Sequence, residues 1–403
     1  MKNFFRRKLK NGINVIMEKR DLPVVSLSIT NRFGAGYEKS EIKGIAHFIE
    51  HLIFTGTKKR TSEEISREIE KRGGILNAFT SHEVTSFWFK LPSEHLFFGL
   101  DVLKDILTNT LFNKEKFDKE KKVIIEEIKM YHDEPRSHAF EMIEKNLFEP
   151  SFGDLVIGSK ETVEGLERDF VADYFRKNYN PRNFIVTVVG NVNFDEICEY
   201  FEKNFEANES EIGKIEIKKK NGESVEKRRD IDQAHVVFAA HAPLKGDKRH
   251  YALEILNAYL AGGMSSKLFV EIREKRGLAY AVRGDIVSEK NYSYYVIYVG
   301  TTKEAFEEVK NLILQGIKDV EKMGEDELKE SKEKIIGLKR ISLEESSNVM
   351  NDLMFEELVG KAENYYDYDN QINAVKLNDV KKLAKEFAKE YSFASVVPDE
   401  KRK

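Results

Sequence analysis

The sequence is poor in cysteine and in unbroken apolar runs. Cys198 is the only cysteine among 403 residues, which excludes an internal disulfide framework and favours a reducing compartment. A catalytic thiol is not expected from so little cysteine. No run of about 18 consecutive apolar residues occurs, so no transmembrane helix is predicted. We therefore expect a soluble, cytoplasmic protein.

The sequence also lacks a strong charge of either sign. It carries 66 Lys and Arg against 70 Asp and Glu, a formal net charge of −4. Nothing in that balance requires nucleic acid or an anionic membrane as a partner, so we predict neither. Glutamine is scarce beside a surplus of Lys, Glu and Ile. This composition resembles that of thermophilic proteins, in which ion-pair networks are more stabilising because charge desolvation costs less at high temperature.

The basic N-terminal segment contains an Asn-Gly pair at positions 11–12, between two stretches of alternating polarity. Such a pair favours the turn of a β-hairpin over a transit peptide. We therefore take residue 1 as part of the mature protein.

The length of the chain exceeds what one core usually organises and indicates two or three domains. The polar, charged segment at 206–230 is typical of a connector between two halves of similar size. We predict an α+β protein with two structurally repeated α/β domains, each an antiparallel-rich sheet packed with helices. The predicted boundaries are 1–205 for the first domain, 206–230 for the linker and 231–403 for the second domain.

The two halves align with each other at several points, which predicts an internal repeat. The aligned pairs are HFIEHLIFTG (47–56) with LEILNAYLAG (253–262), EKRGG (70–74) with EKRGL (274–278), and FVADYFRKNYNPRNFIVTVV in the first half with DVKKLAKEFAKEYSFASVV in the second. The positions of His47, Glu50 and His51 become Leu253, Leu256 and Asn257 in the second copy. A position that accepts Leu in one copy does not need His for packing in the other.

The short segment GIAHFIEHLIF predicts a helix with a metal site. His47, Glu50 and His51 are spaced so that they project from one helical face. Two neutral imidazoles four residues apart can each lie about 2.0–2.1 Å from one Zn²⁺, and the carboxylate between them can accept a proton from activated water. The pattern H-x-x-E-H is the inverse of the commoner zinc-peptidase pattern H-E-x-x-H.

A third ligand must come from elsewhere, because a catalytic zinc usually has three protein ligands. The charged helix predicted at 117–135 offers Glu120, Glu126 and Glu127. Glu120 and Glu127 lie on one face, and Glu126 is rotated by about 100° from Glu127. Helical periodicity alone does not choose among the three.

These segments together resemble the pitrilysin family of inverted-motif zinc peptidases, whose members include insulin-degrading enzyme and the mitochondrial processing peptidase. The resemblance rests on GIAHFIEHLIFTGT, GGILNAFTSHEVTSFWFKLP, EKKVIIEE and NYNPRNFIVTVVGNV, and it extends over most of the chain. It implies that His47, His51 and Glu127 hold one zinc per subunit and that Glu50 is the general base. It also implies a supporting acid at Glu120.

The same resemblance implies two further groups of site residues. In EIREKRGLAYAV, Arg273 and Tyr280 match a family pair that hydrogen-bonds the substrate carbonyl. The segment ILNAFTS (75–81) is predicted as a strand and matches an edge strand that pairs with the substrate backbone, a mode of binding that accepts any extended peptide. Candidate substrate-binding residues are Asn77 and Ala78 on this strand, with Phe54 and Phe79 as an apolar pocket.

We therefore expect a zinc metalloendopeptidase that hydrolyses unstructured peptides through metal-activated water, with Glu50 as general base. A chain of this size resembles half of the family's clamshell peptidase chamber. Because it holds both the metal motif and the Arg/Tyr pair, a homodimer is predicted. Two alternatives remain: a non-catalytic assembly subunit, or a peptide-binding subunit with a structural zinc, although structural zinc sites are usually rich in cysteine.

Overall fold

The structure is a computed structural model that describes residues 3–206, 213–229 and 231–399. The described residues form two compact units, and each unit draws on three separate stretches of the chain. The first unit comprises the described residues of Met1–Ile128, Asp154–Glu216 and Ser342–Tyr366. The second comprises those of Lys129–Gly153, Ile217–Ile341 and Asp367–Lys403.

Eleven strands form two sheets in the described part of the chain. In chain order they are β1 Phe4–Lys8, β2 Asn14–Lys19, β3 Val24–Asn31, β4 Ile75–Thr80, β5 Thr85–Pro92, β6 Phe184–Gly190, β7 Glu223–Arg228, β8 Ala234–His241, β9 Ala279–Ser288, β10 Ser293–Thr301 and β11 Ser392–Pro398.

The α-helices of the described residues fall between these strands. In chain order they are α1 Ile45–Ile53, α2 Ser62–Glu70, α3 Leu96–Thr108, α4 Lys114–Asp133, α5 Pro135–Leu147, α6 Lys160–Gly165, α7 Arg168–Asn178, α8 Phe194–Asn204, α9 His250–Leu260, α10 Phe306–Asp319, α11 Glu325–Ser342, α12 Ser346–Val359, α13 Tyr368–Ala374 and α14 Leu377–Phe387.

The two sheets have the same topology, which confirms the predicted repeat and the α+β class. The first sheet has the order β1-β2-β6-β3-β5-β4, and the second has the order β7-β11-β8-β10-β9. Without β1, each strand of one sheet has a counterpart in the other. In both sheets the first pair of this shared order is parallel, β2 with β6 and β7 with β11, and the remaining neighbours are antiparallel.

The predicted N-terminal hairpin is also present. Strands β1 and β2 pair antiparallel, with Lys8 opposite Asn14. Gly12 lies in the turn between them with a φ of +90°, a conformation that glycine adopts without steric cost.

Both faces of the first sheet are covered, and the β-branched strand β6 shows this most directly. Its side chains alternate between the two faces, as strand geometry requires. Val186 and Val188 pack into the core formed with helices α1, α3 and α7, whereas Ile185 and Val189 pack against α12 on the opposite face. Every residue of β6 is buried as a result, and the sequence FIVTVVG lacks the polar alternation of a half-exposed strand.

The second sheet is covered in the same way. On one face, strand β8 contributes Val236 and Phe238 to a core with residues of α9, α10 and α14. Helix α5 packs against β8 and β11. Strand β10 is therefore buried along its whole length.

Helices α5 and α12 explain why the units are discontinuous. Helix α5 lies within the first half of the sequence but belongs to the second unit, and α12 lies within the second half but belongs to the first unit. The predicted division at 1–205 and 231–403 assigned each helix to the unit of its own half. Sequence proximity guided that division, whereas the two helices bury their apolar faces on the sheet of the other half.

The predicted linker 206–230 also needs correction. Residues 207–212 and 230 lie outside the described residues, but β7 forms within the segment and pairs in parallel with β11. Its residues alternate between exposed and partly buried because β7 is an edge strand, so its composition resembles that of a connector. Among the described residues, no helix has the length and apolar character needed to cross a membrane.

Candidate metal centre

Helix α1 divides its residues between a buried face and a partly open face. Its apolar residues are buried, namely Ile45, Ala46, Phe48, Ile49, Leu52 and Ile53. The three that remain are His47, Glu50 and His51, which share the other face as their spacing predicts. The burial of the apolar face orients these three side chains in the same direction.

Helix α4 brings carboxylates to that face. Phe117 of α4 is buried and its ring lies 4.8 Å from the ring of Phe48 on α1, which packs the two helices together. Glu120 and Glu127 each follow a buried residue of α4 by three positions, Phe117 and Ile124 respectively. Because residues three apart are neighbours on a helix, both glutamates lie beside the seam between the two helices.

The ligand atoms of His47, His51 and Glu127 converge. One nitrogen of each histidine and one carboxylate oxygen lie within 4.8 Å of one another. Oε2 of Glu127 is 3.5 Å from Nε2 of His51 and 4.0 Å from Nε2 of His47. Helical periodicity does not choose among the three glutamates, whereas the structure brings Glu127 to the histidines.

These distances suit a shared metal ion better than hydrogen bonds. Two ligands at about 2.0–2.1 Å from one tetrahedral zinc lie about 3.4 Å apart, whereas a hydrogen bond between nitrogen and oxygen spans about 2.7–3.2 Å. Nδ1 of His47 is buried and has no hydrogen-bond partner among the described residues. The residues present therefore fit a zinc ion held by two imidazoles and a carboxylate.

The histidines have opposite pKa shifts. Burial, together with the charge of His51, lowers the pKa of His47 to about 3, so this imidazole is neutral at physiological pH and has a lone pair for a metal. Burial also acts to lower the pKa of His51, but the hydrogen bond to Glu120 and the charges of Glu127 and Glu50 raise it overall.

Glu120 lies on the far side of His51 from Glu127. Its Oε2 is 3.4 Å from Nδ1 of His51. A carboxylate behind a metal-ligating imidazole is the usual arrangement that fixes the ring and its tautomer. Glu126, the third glutamate considered from the sequence, is exposed and does not belong to the cluster.

Glu50 has a partner that the sequence did not suggest. The hydroxyl of Thr80, at the end of β4, donates a hydrogen bond to Oε2 of Glu50. Burial raises the pKa of Glu50, whereas the Thr80 hydroxyl and the charge of His51 act to lower it. Thr80 shares the inward face of β4 with Leu76 and Ala78, and this alternation places it toward α1. Period-2 polarity places Thr80 on that face, but no sequence signal identifies Glu50 as its partner.

The predicted substrate-binding residues lie on or near β4, which pairs only with β5 in the described sheet. Asn77 is exposed, Ala78 packs against the core, and Phe79 is half-buried. The ring of Phe54 is 6.3 Å from that of Phe87, and Phe54 also packs against the core.

Arg273 and Tyr280 lie together in the second unit. The guanidinium of Arg273 is 4.9 Å from the centre of the Tyr280 ring, and its Nη1 donates to the Tyr280 carbonyl at 3.2 Å. Tyr280 is 79% exposed on the edge strand β9, so its hydroxyl is accessible to solvent. The pair is available to hydrogen-bond an incoming carbonyl oxygen.

The second repeat uses the corresponding helix for packing alone. Leu253 and Leu256 of α9 are completely buried in the core of the second unit. Oδ1 of Asn257 accepts a hydrogen bond from the hydroxyl of Tyr295 at 3.2 Å. Positions that hold ionisable groups in α1 therefore hold core residues and a structural amide in α9.

A second histidine cluster, in the second unit, has different geometry. His132, His138 and Glu226 also place ligand atoms within 4.8 Å of one another. However, Nε2 of His138 is only 2.8 Å from Oε2 of Glu226, which is a hydrogen-bond distance. The guanidinium of Arg228 donates to both Glu226 and the carbonyl of His132. Glu226 is already engaged by the His138 ring and by the guanidinium of Arg228, so we assign no metal to this cluster.

Comparison with known proteins agrees with the fold. Residues 14–154 match the family described as Insulinase (Peptidase family M16), and residues 165–335 match the one described as Peptidase M16 inactive domain. The latter range includes α9, where Leu253, Leu256 and Asn257 stand at the positions of His47, Glu50 and His51.

Curated relatives cover nearly the whole chain. The uncharacterized zinc protease YmxG of Bacillus subtilis is 32% identical over 398 residues, which cover 96% of this chain and 97% of the relative. An uncharacterized zinc protease of Rickettsia felis is 32% identical over 331 residues, covering 81% of this chain and 80% of the relative.

Among solved structures, a protease from Helicobacter pylori shares the fold with a TM-score of 0.89 at 23% identity, covering 98% of this chain and 99% of the other. The chain belongs to the insulinase (M16) family of peptidases. The predicted resemblance to the pitrilysin family is thereby confirmed.

Proposed function

We propose that this protein is a zinc-dependent endopeptidase that hydrolyses unstructured peptides. The proposal rests on the convergence of ligand atoms from His47, His51 and Glu127. Glu50 lies on the same face of α1 as the two histidines. Relatives that cover most of the chain are named zinc proteases, which supports the same reaction class. The alternative of a peptide-binding subunit does not require Glu50 beside the ligand set.

In this proposal His47, His51 and Glu127 hold one zinc ion per chain, and Glu120 orients His51 through its Nδ1. A zinc ion there supplies a Lewis acid that lowers the pKa of water and polarises a carbonyl. Two imidazoles bound in their neutral form and one carboxylate would leave such an ion a net positive charge, which this chemistry needs.

Glu50 is proposed as the general base. Its carboxylate takes a proton from the attacking water as the new carbon–oxygen bond forms, and delivers it to the leaving amine as the carbon–nitrogen bond breaks. Oε2 accepts the hydrogen bond of Thr80, which leaves Oε1 for proton transfer. Burial raises the pKa of Glu50, and a raised pKa makes the carboxylate a stronger base.

Arg273 and Tyr280 are proposed to donate hydrogen bonds to the substrate carbonyl, and the edge strand β4 to pair with the substrate backbone. Asn77 and Ala78 would then contact the peptide through their main chain. We further propose that two copies of the chain form a homodimer, in which the pair of one chain serves the zinc site of the other.

Two measurements test the proposed function. Elemental analysis of the purified protein should give one zinc per chain, and a fluorogenic unstructured peptide should be cleaved in a chelator-sensitive reaction. Glu50→Gln is the matched control, since it should retain zinc and lose turnover. Stoichiometric zinc with no cleavage of any unstructured peptide would favour a peptide-binding subunit. Absence of zinc would favour an assembly role.

A further inference from the structure

The N-cap residue of helix α1 has no side chain that could accept a hydrogen bond from the first turn. The N-cap position is Gly44, with a φ of +97°. A Cβ added there would lie 2.5 Å from the carbonyl oxygen of Ile157. Ser, Thr, Asp and Asn, the residues that usually cap a helix, are therefore excluded by contact with the backbone of the 157–158 loop.

Glu38 supplies the missing acceptors from six residues upstream. Its Oε2 accepts the N–H of Gly44 at 2.9 Å, and its Oε1 accepts the N–H of Ala46 at 2.7 Å. Ala46 directly precedes His47. A carboxylate at this end of a helix also interacts favourably with the helix dipole.

The Glu38 carboxylate is held inside the protein. Glu38 and Lys43 are each 2% exposed, and Nζ of Lys43 donates to the carbonyl of Ala35 at 2.8 Å. Burial raises the pKa of Glu38, whereas the charge of Lys43 and the two backbone N–H groups act to lower it. A buried, paired carboxylate has little freedom to move, so the atoms that it binds have little freedom as well.

The same segment is also tied to the end of β4, where the Thr80 hydroxyl donates a hydrogen bond to Glu50. The N–H of Ala35 donates to the carbonyl of Ser81 at 2.9 Å, and the N–H of Gly36 donates to that of His82 at 2.7 Å. Ser81 follows Thr80, whose hydroxyl contacts Glu50. The segment 35–46 therefore links the end of β4 to the start of α1.

We propose that Glu38 is a positioning residue for the zinc ligands and the general base. Its carboxylate fixes the first turn of α1 relative to β4, and thereby sets where His47, Glu50 and His51 project. This inference rests on the proposed function, because the groups positioned are those of the proposed zinc site. Glu38 lies outside the H-x-x-E-H motif and touches neither ligand nor base, so its role is indirect.

Glu38→Gln tests the proposal. Glutamine has one carbonyl oxygen for two N–H donors, and its amide group would face one of them. The matched control is Glu41→Gln, which makes the same charge change at an exposed position three residues along. Each variant is measured for zinc affinity by chelator competition, for kcat and KM on an unstructured peptide, and for thermal unfolding of the metal-free protein.

We expect Glu38→Gln to weaken zinc binding by about tenfold or more, in the range seen for residues that orient metal ligands. It should lower kcat about tenfold with KM changed less than about twofold, since Glu38 does not contact substrate. Co²⁺ substituted for zinc should give an altered absorption spectrum in Glu38→Gln and the wild-type spectrum in Glu41→Gln.

A Glu38→Gln protein with wild-type zinc affinity and kcat would overturn the proposal, even if its metal-free form melted at a lower temperature. If that variant does not fold, Glu38→Asp replaces it. Aspartate keeps the charge but is one methylene shorter, and should weaken zinc binding by a smaller factor. Wild-type zinc affinity in Glu38→Asp would then overturn the proposal. Failure of the wild-type protein to bind zinc would instead overturn the proposed function.

Discussion

The hydroxyl of Thr80 donates a 2.5 Å hydrogen bond to Oε2 of Glu50, and this contact joins the edge strand β4 to the metal-motif helix α1. Both residues are partly buried, so little water competes for the bond. Since Glu50 is the proposed base, the contact orients the carboxylate whose second oxygen is left for proton transfer.

Thr80→Val should therefore lower kcat while leaving zinc bound. A hydrogen bond to a charged group is worth about 1.5–3 kcal/mol, which corresponds to about a tenfold to a hundredfold loss. Thr80→Ser keeps the hydroxyl and should retain most of the activity. Peptide cleavage and zinc content measured on both variants check this. An equal loss of peptide cleavage in Thr80→Val and Thr80→Ser would show that the activity does not depend on the hydroxyl.

The ligand set makes a second prediction. His47→Ala, His51→Ala and Glu127→Gln should each lose zinc, because each removes a converging ligand atom. Glu126→Gln is the matched control for Glu127→Gln, since it lies one residue away and outside the cluster. Elemental analysis of the dialysed proteins decides the assignment. Stoichiometric zinc in Glu127→Gln would transfer the third-ligand role to another carboxylate.

The size of the substrate can be predicted from the proposed pairing of a peptide with β4. Pairing with an edge strand requires an extended segment, which a folded protein does not present. We expect cleavage of unstructured peptides of a few tens of residues and no cleavage of a stably folded protein of the same composition. Mass spectrometry of both digests detects the cleavage products and so measures whether each substrate is cut. Efficient degradation of the folded substrate at a temperature where it stays folded would contradict the prediction.

His138 makes a prediction about stability and pH. Its two ring nitrogens lie 3.1 Å from Glu141 and 2.8 Å from Glu226, and these bonds raise the pKa of His138, although burial and Arg228 act against the rise. A raised pKa in the folded state means that the bound proton stabilises the fold fully below the unfolded value of about 6.5. That stabilisation is lost as the pH rises through the folded value.

His138→Gln should accordingly lower the free energy of unfolding more at pH 6 than at pH 9, by about 1–3 kcal/mol at the lower pH. Urea unfolding in the presence of a chelator measures the difference without a contribution from metal. His95→Gln, at a partly exposed site in the first unit, is the control for the substitution itself. A destabilisation by His138→Gln that is the same at both pH values would exclude a role for the proton.

The proposed homodimer predicts complementation between two inactive variants. Glu50→Gln removes the base, and the double change Arg273→Ala with Tyr280→Phe removes the carbonyl donors. If each site combines the zinc of one chain with the donors of its partner, a mixed dimer contains one intact site. Random exchange should then restore roughly a quarter of wild-type activity under two-fold symmetry.

Sites built within one chain would each retain one defect. Mixed dimers carrying two different affinity tags can be purified and assayed on a fluorogenic peptide. Activity no higher than that of either parent variant would rule out sites shared between chains.

The predictable parts of this protein are those with local signals. Helix α1 follows from its apolar spacing, and β4 from its alternation. Glu38 and Thr80 are not predictable in this way, because each acts on α1 from outside the helix, and no periodicity links a carboxylate to the N–H groups six and eight residues later. Glu127 is identified as the third ligand only through the family resemblance. A helical wheel shows which residues share a face of α4, but not which element packs against that face.

Helices α5 and α12 illustrate the same limit for the fold. Each helix contains apolar residues that are buried, such as Ile143 in α5 and Leu353 in α12, but the sequence does not show which sheet covers them. Ile16 and Ile185 of the first sheet pack against Val349 and Met350 of α12, more than 150 residues later in the chain. A division of the sequence into two consecutive halves could not anticipate that exchange.

The exchange of α5 and α12 also affects how the protein is synthesised. Ile16, Ile185 and Val189 have no cover on the α12 face of the first sheet until α12 has left the ribosome. The first unit therefore cannot finish folding while the second is still being made, and the nascent chain carries an uncovered apolar sheet face from the synthesis of β6 until that of α12. We expect folding to depend on non-local contacts that close late, and a fragment ending near residue 205 to aggregate rather than fold.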